Sequence, residues 1–460
     1  MAAGTWRRGS AAVAGGIGVA FALAACGGSS TPAATSTASG GGSADCTSFA
    51  DYGKFEGKTV EVYSSIRDIE AKRFDEAFVN FTKCTGITIK WNGTGEFETQ
   101  LPVRVSGGNA PDLATIPQPG LLQTLVKDGA VKKAGTKVAE QATANFSKDW
   151  LAYGTVDGTL YAPPLGANVK SFVWYSPKDF KDNGYAVPQT WDEMIKLSDT
   201  IAGKGEKPWC AGIESGVATG WVATDWLEDV LLRTQGPEVY DQWVKHEVPF
   251  NDAKIVDAID RVGQILKNDK YVNGGYGDVK SVASTSFQEG GAPILDGECY
   301  MHRQASFYAN QWKKGTKVAE DGDVFAFYLP PIDASKGKPV LGAGEFLAAF
   351  NEKPETQAVQ LYMNSEEFVN SKAKIGDWIT ANNKLKVENV LTAGTTDPNP
   401  INVASVKILQ DPNAVFRFDG SDQMPSAVGA GSFWKQMTAW ITGASSQAAA
   451  DAIEKSWPKS

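Results

Sequence analysis

Residues 58–65, KTVEVYSS, contain the first strand signal of the chain and decide its fold class. Val60 and Val62 alternate with Glu61 and Tyr63, which is the two-residue period of a β-strand. The segment therefore predicts a strand that ends in two hydroxyl side chains.

The segments that follow alternate between helix and strand periods. In order they are a helix with Ile69, Phe74, Phe78 and Phe81 on one face, the strand ITIKW (87–91), a helix over roughly Glu96 to Val105, and the strand LATI (113–116). This alternation predicts an α/β fold with a mostly parallel sheet covered on both faces. We find no internal repeat.

In such a sheet, ligands bind beyond the carboxyl ends of the strands. Those ends read SSIR (64–67), GTGE (93–96) and PQPG (117–120), which are polar and rich in small residues. The candidate ligand residues here are Ser64, Ser65, Arg67, Glu96 and Gln118. The serines and the arginine could instead cap the next helix, and the glutamate could complement a helix dipole.

A second α/β region is predicted from the strand SFVWYSPK (171–178) through Pro330. Thr190 and Glu193 form a capping box at a helix start. The chain then continues with PVLGAGEFLAAF (339–350), predicted as a glycine-broken strand, and closes with a helical tail from Pro425.

The first 45 residues predict export and anchoring. An Arg7-Arg8 head, a short apolar run and Leu23-Ala24-Ala25-Cys26 make residues 1–25 a lipoprotein signal peptide, with Cys26 as the lipidated first residue. Ordinary cleavage with a free Cys26 is the alternative. Residues 26–45 lack apolar periodicity and form a flexible tether. The folded body is thus expected outside the cell, held at the outer face of the membrane by lipid alone.

The net charge limits the partners that the protein is expected to bind, and the cysteines indicate the redox state of its compartment. The net charge of −9 becomes −11 without residues 1–25, which carry two Arg and no acid, so nucleic acid is a poor partner. Four further cysteines, Cys46, Cys84, Cys210 and Cys299, allow three disulfide pairings in an oxidising compartment. We favour Cys46–Cys84 with Cys210–Cys299, because each would staple one half of the molecule; four free thiols are the alternative.

Sequence motifs for catalysis are missing. The chain has no GxxxxGK[ST], GxSxG, HExxH or strand-following GxGxxG, and only two His. We therefore predict a protein that is not an enzyme and uses neither cofactor nor metal. A secreted glycosidase with paired carboxylates, such as Asp225 and Asp229, is the competing hypothesis.

One helical segment has an unusual polar face. In GIESGVATGWVATDWLEDVLLR (212–233), a helix from Gly220 to Arg233 would bury six apolar residues on one side. Trp221 falls on the opposite side, beside Thr224, Asp225 and Glu228. Either this indole is offered to a ligand, or a neighbouring loop covers it.

An ordered set of segments resembles one known family. The segments are the lipobox, GGNAPDLATIPQPGLL, FVWYSPKDFKDNGYAVPQTWDEM, residues 212–243, GECYMHRQASF, PVLGAGEFLAAF and QMPSAVGAGSFW. Together they resemble extracellular solute-binding proteins of sugar ABC transporters, the family of maltose-binding protein, and most of all its α-glucoside-binding branch. The resemblance implies a monomer that delivers a carbohydrate to a membrane permease.

The resemblance also implies the type II periplasmic-binding fold, with two lobes, three crossovers and a ligand cleft between the lobes. The crossovers fall near Ala167–Lys170, Leu341–Glu345 and Gly376–Ala381. Lobe 1 is expected to comprise 46–168 with 342–378, and lobe 2 to comprise 169–341 with 379–460. Hinge closure around the ligand is the expected motion.

Further ligand residues follow from the matched segments. Trp221 would cover the apolar face of a pyranose while Asp225 binds its hydroxyls. The others are Phe307, Trp434, Gly344, Glu345, Trp378, Asn168 and Asp419. Hinge packing for Trp378 and turn formation for Asp419 are the alternatives.

The chain departs from the family at one place. Maltodextrin binders carry a tryptophan just after the third strand, where this chain has Ile116-Pro117-Gln118. We therefore expect an α-glucoside-type di- or oligosaccharide that is short. A polyol, a glycosylated osmolyte or a peptide on the same fold is the alternative.

Overall fold

A computed structural model describes residues 46–411 and 415–459. The predicted signal peptide (1–25), the lipidated Cys26 and the tether (26–45) lie outside the described residues. No helix within the described ranges is long and apolar enough to cross a membrane.

The strands and helices follow the predicted alternation. The strands are β1 (Thr59–Ser64), β2 (Thr88–Gly93), β3 (Leu113–Ile116), β4 (Thr155–Val156), β5 (Thr159–Leu160), β6 (Pro164–Val169), β7 (Phe172–Tyr175), β8 (Trp209–Cys210), β9 (Val272–Asn273), β10 (Met301–Arg303), β11 (Phe325–Tyr328), β12 (Pro339–Ala349) and β13 (Val415–Phe418). The α-helices are α1 (Asp68–Thr85), α2 (Phe97–Ser106), α3 (Pro119–Lys127), α4 (Thr136–Asn145), α5 (Lys148–Tyr153), α6 (Pro177–Asn183), α7 (Trp191–Gly203), α8 (Trp221–Gln235), α9 (Pro237–Val244), α10 (Ala253–Leu266), α11 (Pro354–Met363), α12 (Glu366–Ile375), α13 (Pro400–Leu409), α14 (Gly420–Gln423), α15 (Trp434–Ile441) and α16 (Ser446–Glu454). A π-helical segment, Ala427–Phe433, leads into α15.

The first sheet is six-stranded, in the order β13-β12-β3-β1-β2, with β6 pairing to β12. β1 runs parallel to β2 and β3, as predicted, whereas β12 is antiparallel to β3. Val60 and Val62 face one buried cluster and Tyr63 faces another, so both sides of this sheet are covered. The α/β prediction is confirmed.

The second sheet is five-stranded, in the order β11-β7-β10-β8-β9. Its central strand pairings are mixed, because β7 is antiparallel to β10 and β11 while β8 is parallel to β10. Along β7, Phe172 and Trp174 enter one core and Val173 and Tyr175 the other, so this sheet is also buried on both faces. Two sheets with separate cores position the site.

The structure corrects the prediction that glycines break the strand at 339–350. β12 is continuous over eleven residues and shows only an irregular register between Gly344 and Phe346. A Cβ on Gly344 would lie 2.3 Å from the Gly166 carbonyl oxygen. Glycine is therefore needed here because β6 and β12 approach closely, not because the strand ends.

Both favoured disulfides are present. Cys46 pairs with Cys84, and Cys210 pairs with Cys299. The first bridge ties the amino-terminal segment to α1, beside the first sheet. The second joins β8 to the segment that precedes β10, so it lies within the second sheet. Each bridge staples one half of the fold, as expected.

Candidate functional site

A cavity of about 310 Å³ lies at the carboxyl ends of β1, β2 and β3. Ser65, Thr94 and Gln118, each just beyond one of these strands, line one wall. Trp221 at the start of α8 and Phe307 in the 3-10 helix Ser306–Asn310 line another. Parallel strands present their carboxyl ends at one sheet edge, which is where this fold class places ligands.

The aromatic wall is built from three rings. The centroid of Trp221 lies 5.2 Å from that of Phe287 and 6.1 Å from that of Phe307, and the two phenylalanine centroids are 6.3 Å apart. All three side chains are only partly buried and line the cavity. Such edge-on and tilted contacts hold the rings in place and leave apolar surface facing the cavity.

Two further tryptophans line the cavity from other directions. Trp434, at the start of α15, is 3 % exposed and donates from Nε1 to Ser421 Oγ at 3.2 Å. Trp378 packs edge-on against Phe74 and Phe368, with centroids 6.3 Å and 5.9 Å away. Trp378 therefore packs against neighbouring aromatic rings and also lines the cavity.

Three buried polar side-chain atoms of cavity-lining residues have no hydrogen-bond partner among the described residues: Gln118 Oε1, Asn168 Oδ1 and Trp378 Nε1. Gln118 is 5 % exposed, and its amide nitrogen donates to Glu98 at 3.1 Å. Because leaving a buried polar group unpaired costs free energy, these atoms are suited to bind hydroxyl groups. They supply two acceptors and one donor.

Carboxyl groups on the cavity wall are held in an unusual electrostatic environment. Burial, together with the charge of Glu70, raises the pKa of Glu345 to about 7. Burial likewise raises the pKa of Glu98, which lies beside Gln118. Burial lowers the pKa of Lys372 to about 7. Glu345 and Lys372 can therefore exchange donor and acceptor roles near neutral pH.

The polar face of α8 is buried, which corrects the prediction for Asp225. This carboxylate does not line the cavity; it pairs with Lys170 at 2.8 Å and Arg303 at 3.4 Å. One turn later, Asp229 accepts from Arg303 at 2.8 Å and pairs with Arg233. Burial raises the pKa of Asp225 to about 7, although both cations oppose the shift. The acids serve an internal ion-pair network.

Asn310 joins segments that belong to different cores. Its Nδ2 donates to Glu70 Oε1 and to the Asp377 carbonyl, both at 3.0 Å, and its Oδ1 accepts from Arg73 at 2.9 Å. Glu70 and Arg73 lie on α1, which packs on the first sheet. Asn310 follows β10 of the second sheet. Asp377 also pairs with Arg73 at 3.0 Å, which completes the bridge.

Most predicted ligand residues line the cavity: Ser65, Arg67, Gln118, Asn168, Trp221, Phe307, Gly344, Glu345, Trp378, Asp419 and Trp434. Asp419 nevertheless uses its carboxylate internally, since one oxygen accepts from Lys170 at 2.6 Å and the other caps α14 through the Asp422 amide at 2.9 Å. The alternative of turn formation describes it better than a free acceptor.

Besides Asp225, two predicted residues do not line the cavity. Ser64 is fully buried, because its hydroxyl shares a 2.6 Å hydrogen bond with Thr115 and accepts from the Ile66 amide. Glu96 is exposed at the N-cap of α2. The predicted alternative for Glu96, an acid at a helix start, fits its position, whereas Ser64 does not cap α1, whose N-cap Arg67 has no side-chain cap hydrogen bond.

Several cavity residues were missed from the sequence. Phe287 lies in an irregular stretch between two 3-10 helices, where no periodic pattern identifies it. Lys170 and Asn310 are ordinary polar residues in the sequence. The predicted crossover at 167–170 was the one signal that could have singled out the lysine.

Comparison with known proteins agrees with this geometry. Residues 64–399 match the family described as bacterial extracellular solute-binding protein. The osmoprotective compounds-binding protein GgtB of Synechocystis is 38 % identical over 87 % of this chain and 93 % of its own. The α-glucosides-binding periplasmic protein AglE of Rhizobium meliloti is 36 % identical over 87 % of each chain.

Solved structures support the fold. The bacterial solute receptor AcbH, described as having an exclusive preference for β-D-galactopyranose, superimposes with a TM-score of 0.72 at 19 % identity. The match covers 86 % of this chain and 98 % of that one. At this identity the likeness establishes the two-lobed architecture and not the ligand.

Proposed function

Because this chain belongs to the bacterial extracellular solute-binding protein family, we propose that it binds an α-glucoside-type di- or oligosaccharide and delivers it to the permease of an ABC importer. Family membership places the protein outside the cytoplasm. The family consists of binding proteins and not enzymes, so the glycosidase hypothesis is set aside.

The observation that carries the proposal is the pairing of aromatic surface with unpaired polar atoms in one cavity. A pyranose has an apolar face of C–H groups and a rim of hydroxyls. The rings of Trp221, Phe287 and Phe307 can cover the face, while Gln118 Oε1 and Asn168 Oδ1 accept from the rim. Neither feature alone would favour a sugar over another small molecule.

A short ligand fits the cavity better than a long one. A volume of about 310 Å³ lies at the small end of the range for ligand pockets. The segment Ile116-Pro117-Gln118 also carries no ring where maltodextrin binders of the family have a tryptophan. We therefore propose a ligand of two or three sugar units.

A glycosylated osmolyte is the second candidate. GgtB, whose name describes it as binding osmoprotective compounds, is 38 % identical to this chain. An α-glucosylated polyol presents the same pyranose face to the rings but has a smaller second half. The choice between this ligand and a disaccharide depends on the end of the cavity away from the aromatic wall.

Anchoring and lobe closure complete the proposal. Lipid on Cys26 would hold the protein at the outer face of the membrane as a monomer, with 26–45 as the tether. The lobes 46–168 with 342–378 and 169–341 with 379–460 would close on the ligand. The hydrogen bonds of Asn310 to α1 support this division, since they join segments of the two lobes.

A thermal-shift screen followed by calorimetric titration tests the ligand class. The mature chain is measured with maltose, trehalose, sucrose, α-glucosylglycerol, free sorbitol and amino acids. A true ligand at a hundredfold excess over Kd should stabilise the fold by roughly 2.7 kcal/mol. Stabilisation by sorbitol or amino acids but by no glucoside would refute the proposal; α-glucosylglycerol alone would select the second candidate.

A further inference from the structure

We propose that Lys170 is a positioning residue that fixes both Trp221 and Trp434 in the orientation that receives the sugar. The inference rests on the proposed function and deepens it. Lys170 lies between β6 and β7, where the chain passes from the first sheet to the second. Its backbone amide donates to the Leu341 carbonyl on β12 at 2.7 Å.

The contact with Trp221 is direct. Lys170 Nζ lies 5.2 Å from the centre of the Trp221 ring. It also donates at 2.8 Å to Asp225, which sits one turn further along α8. A cation near a ring face and an ion pair to the same helix together restrict both the ring and the helix start.

The contact with Trp434 runs through two polar side chains. Lys170 Nζ donates to Asp419 at 2.6 Å, Ser421 Oγ donates to the other Asp419 oxygen at 2.7 Å, and Trp434 Nε1 donates to Ser421 Oγ at 3.2 Å. Each step is a hydrogen bond of ordinary length. One ammonium group is therefore connected to both tryptophans.

A purely stabilising role does not explain this arrangement. Lys170 is 5 % exposed. Because the desolvation of a buried ion pair costs about as much free energy as the pairing returns, replacing such a pair by well-packed apolar residues is often neutral or stabilising. A buried ion pair of this kind is better suited to specifying one geometry. Lys170 also lines the same cavity as the two tryptophans.

A double-mutant cycle tests the direct contact. Lys170→Met should weaken binding of the best glucoside from the screen about tenfold in the wild-type background, but less than about threefold when Trp221→Ala is present. Equal losses in both backgrounds, or no loss in either, would overturn the inference. Failure of the wild-type protein to bind any glucoside would instead refute the proposed function.

Lys267→Met is the matched control. Lys267 Nζ lies 5.1 Å from the ring of Trp440, so it forms the same kind of pair, and neither residue lines the cavity. This variant should leave the Kd unchanged. If it weakens binding as much as Lys170→Met does, the effect is general loosening of the fold and the inference fails.

Two further variants cover the case in which Lys170→Met does not unfold cooperatively. Lys170→Arg keeps a cation between the two carboxylates, but its planar guanidinium cannot repeat all three ammonium contacts. The loss of affinity that it causes should therefore be more than about threefold larger in the wild-type background than in Trp221→Ala. Ser421→Ala tests the second arm: it should weaken binding in the wild type and not in Trp434→Phe. Additive losses in these cycles would overturn the inference.

Discussion

Replacing Trp221 by alanine removes the largest ring of the aromatic wall. One face of an indole covers roughly 80 Å² of apolar ligand surface, which at about 25 cal/mol per Å² is worth about 2 kcal/mol. The expected loss of affinity is therefore about 30-fold. Loosening of Phe287 and Phe307, which pack on this ring, would add to the loss, so at least tenfold is a firm lower limit.

Isothermal titration calorimetry at constant pH and salt measures this loss, with a thermal melt to confirm folding. Trp457→Ala is the matched control, because Trp457 is also partly buried but stacks on His246, with centroids 4.0 Å apart, and does not line the cavity. Its Kd should equal that of the wild type. Wild-type affinity in Trp221→Ala would remove this tryptophan from the site.

Two other predictions concern pH and the disulfides. Because burial raises the pKa of Glu345 from 4.5 to about 7, the folded protein holds a proton that the unfolded chain has released, and this group's stabilising contribution falls as the pH rises from 4.5 through 7. Glu345→Gln should flatten that fall by up to about 3 kcal/mol in urea titrations at several pH values; an unchanged pH dependence would contradict the assignment. Cys210→Ser with Cys299→Ser opens a bridge between residues 89 positions apart and should cost roughly 2–5 kcal/mol in the same assay, more than the loss of Cys46–Cys84 at 38 positions, with little change in Kd. Equal costs would show that the length of the closed loop does not decide the effect.

The periodic patterns of the sequence were sufficient for the fold. The strand at 113–116 is found as predicted, and the helix predicted from Gly220 to Arg233 is found as Trp221–Gln235. The period of the apolar residues indicates which face of a helix or strand is buried, so these elements can be predicted without tertiary information. The prediction for 339–350 was wrong, because glycine in a sequence is found both where a strand breaks and where two strands pack closely.

The site was predicted less completely, for a physical reason. Trp221 and Phe307 could be found because an aromatic residue in a matched segment is distinctive. The sequence alone could not distinguish Asp225 from an acidic residue that binds the ligand, since only the structure shows that both faces of α8 are covered. Phe287 and Lys170 contribute through contacts with residues distant in sequence, and no local pattern records such contacts.

If the two lobes close on the ligand as proposed, the bridge made by Asn310 contributes to the barrier that the ligand must cross on release. Its three hydrogen bonds to α1 and to the Asp377 carbonyl would have to break whenever the walls separate, whichever sugar is inside. Every ligand would then meet one common component of the escape barrier. Replacing this asparagine should therefore shorten the lifetimes of chemically different complexes by a similar factor.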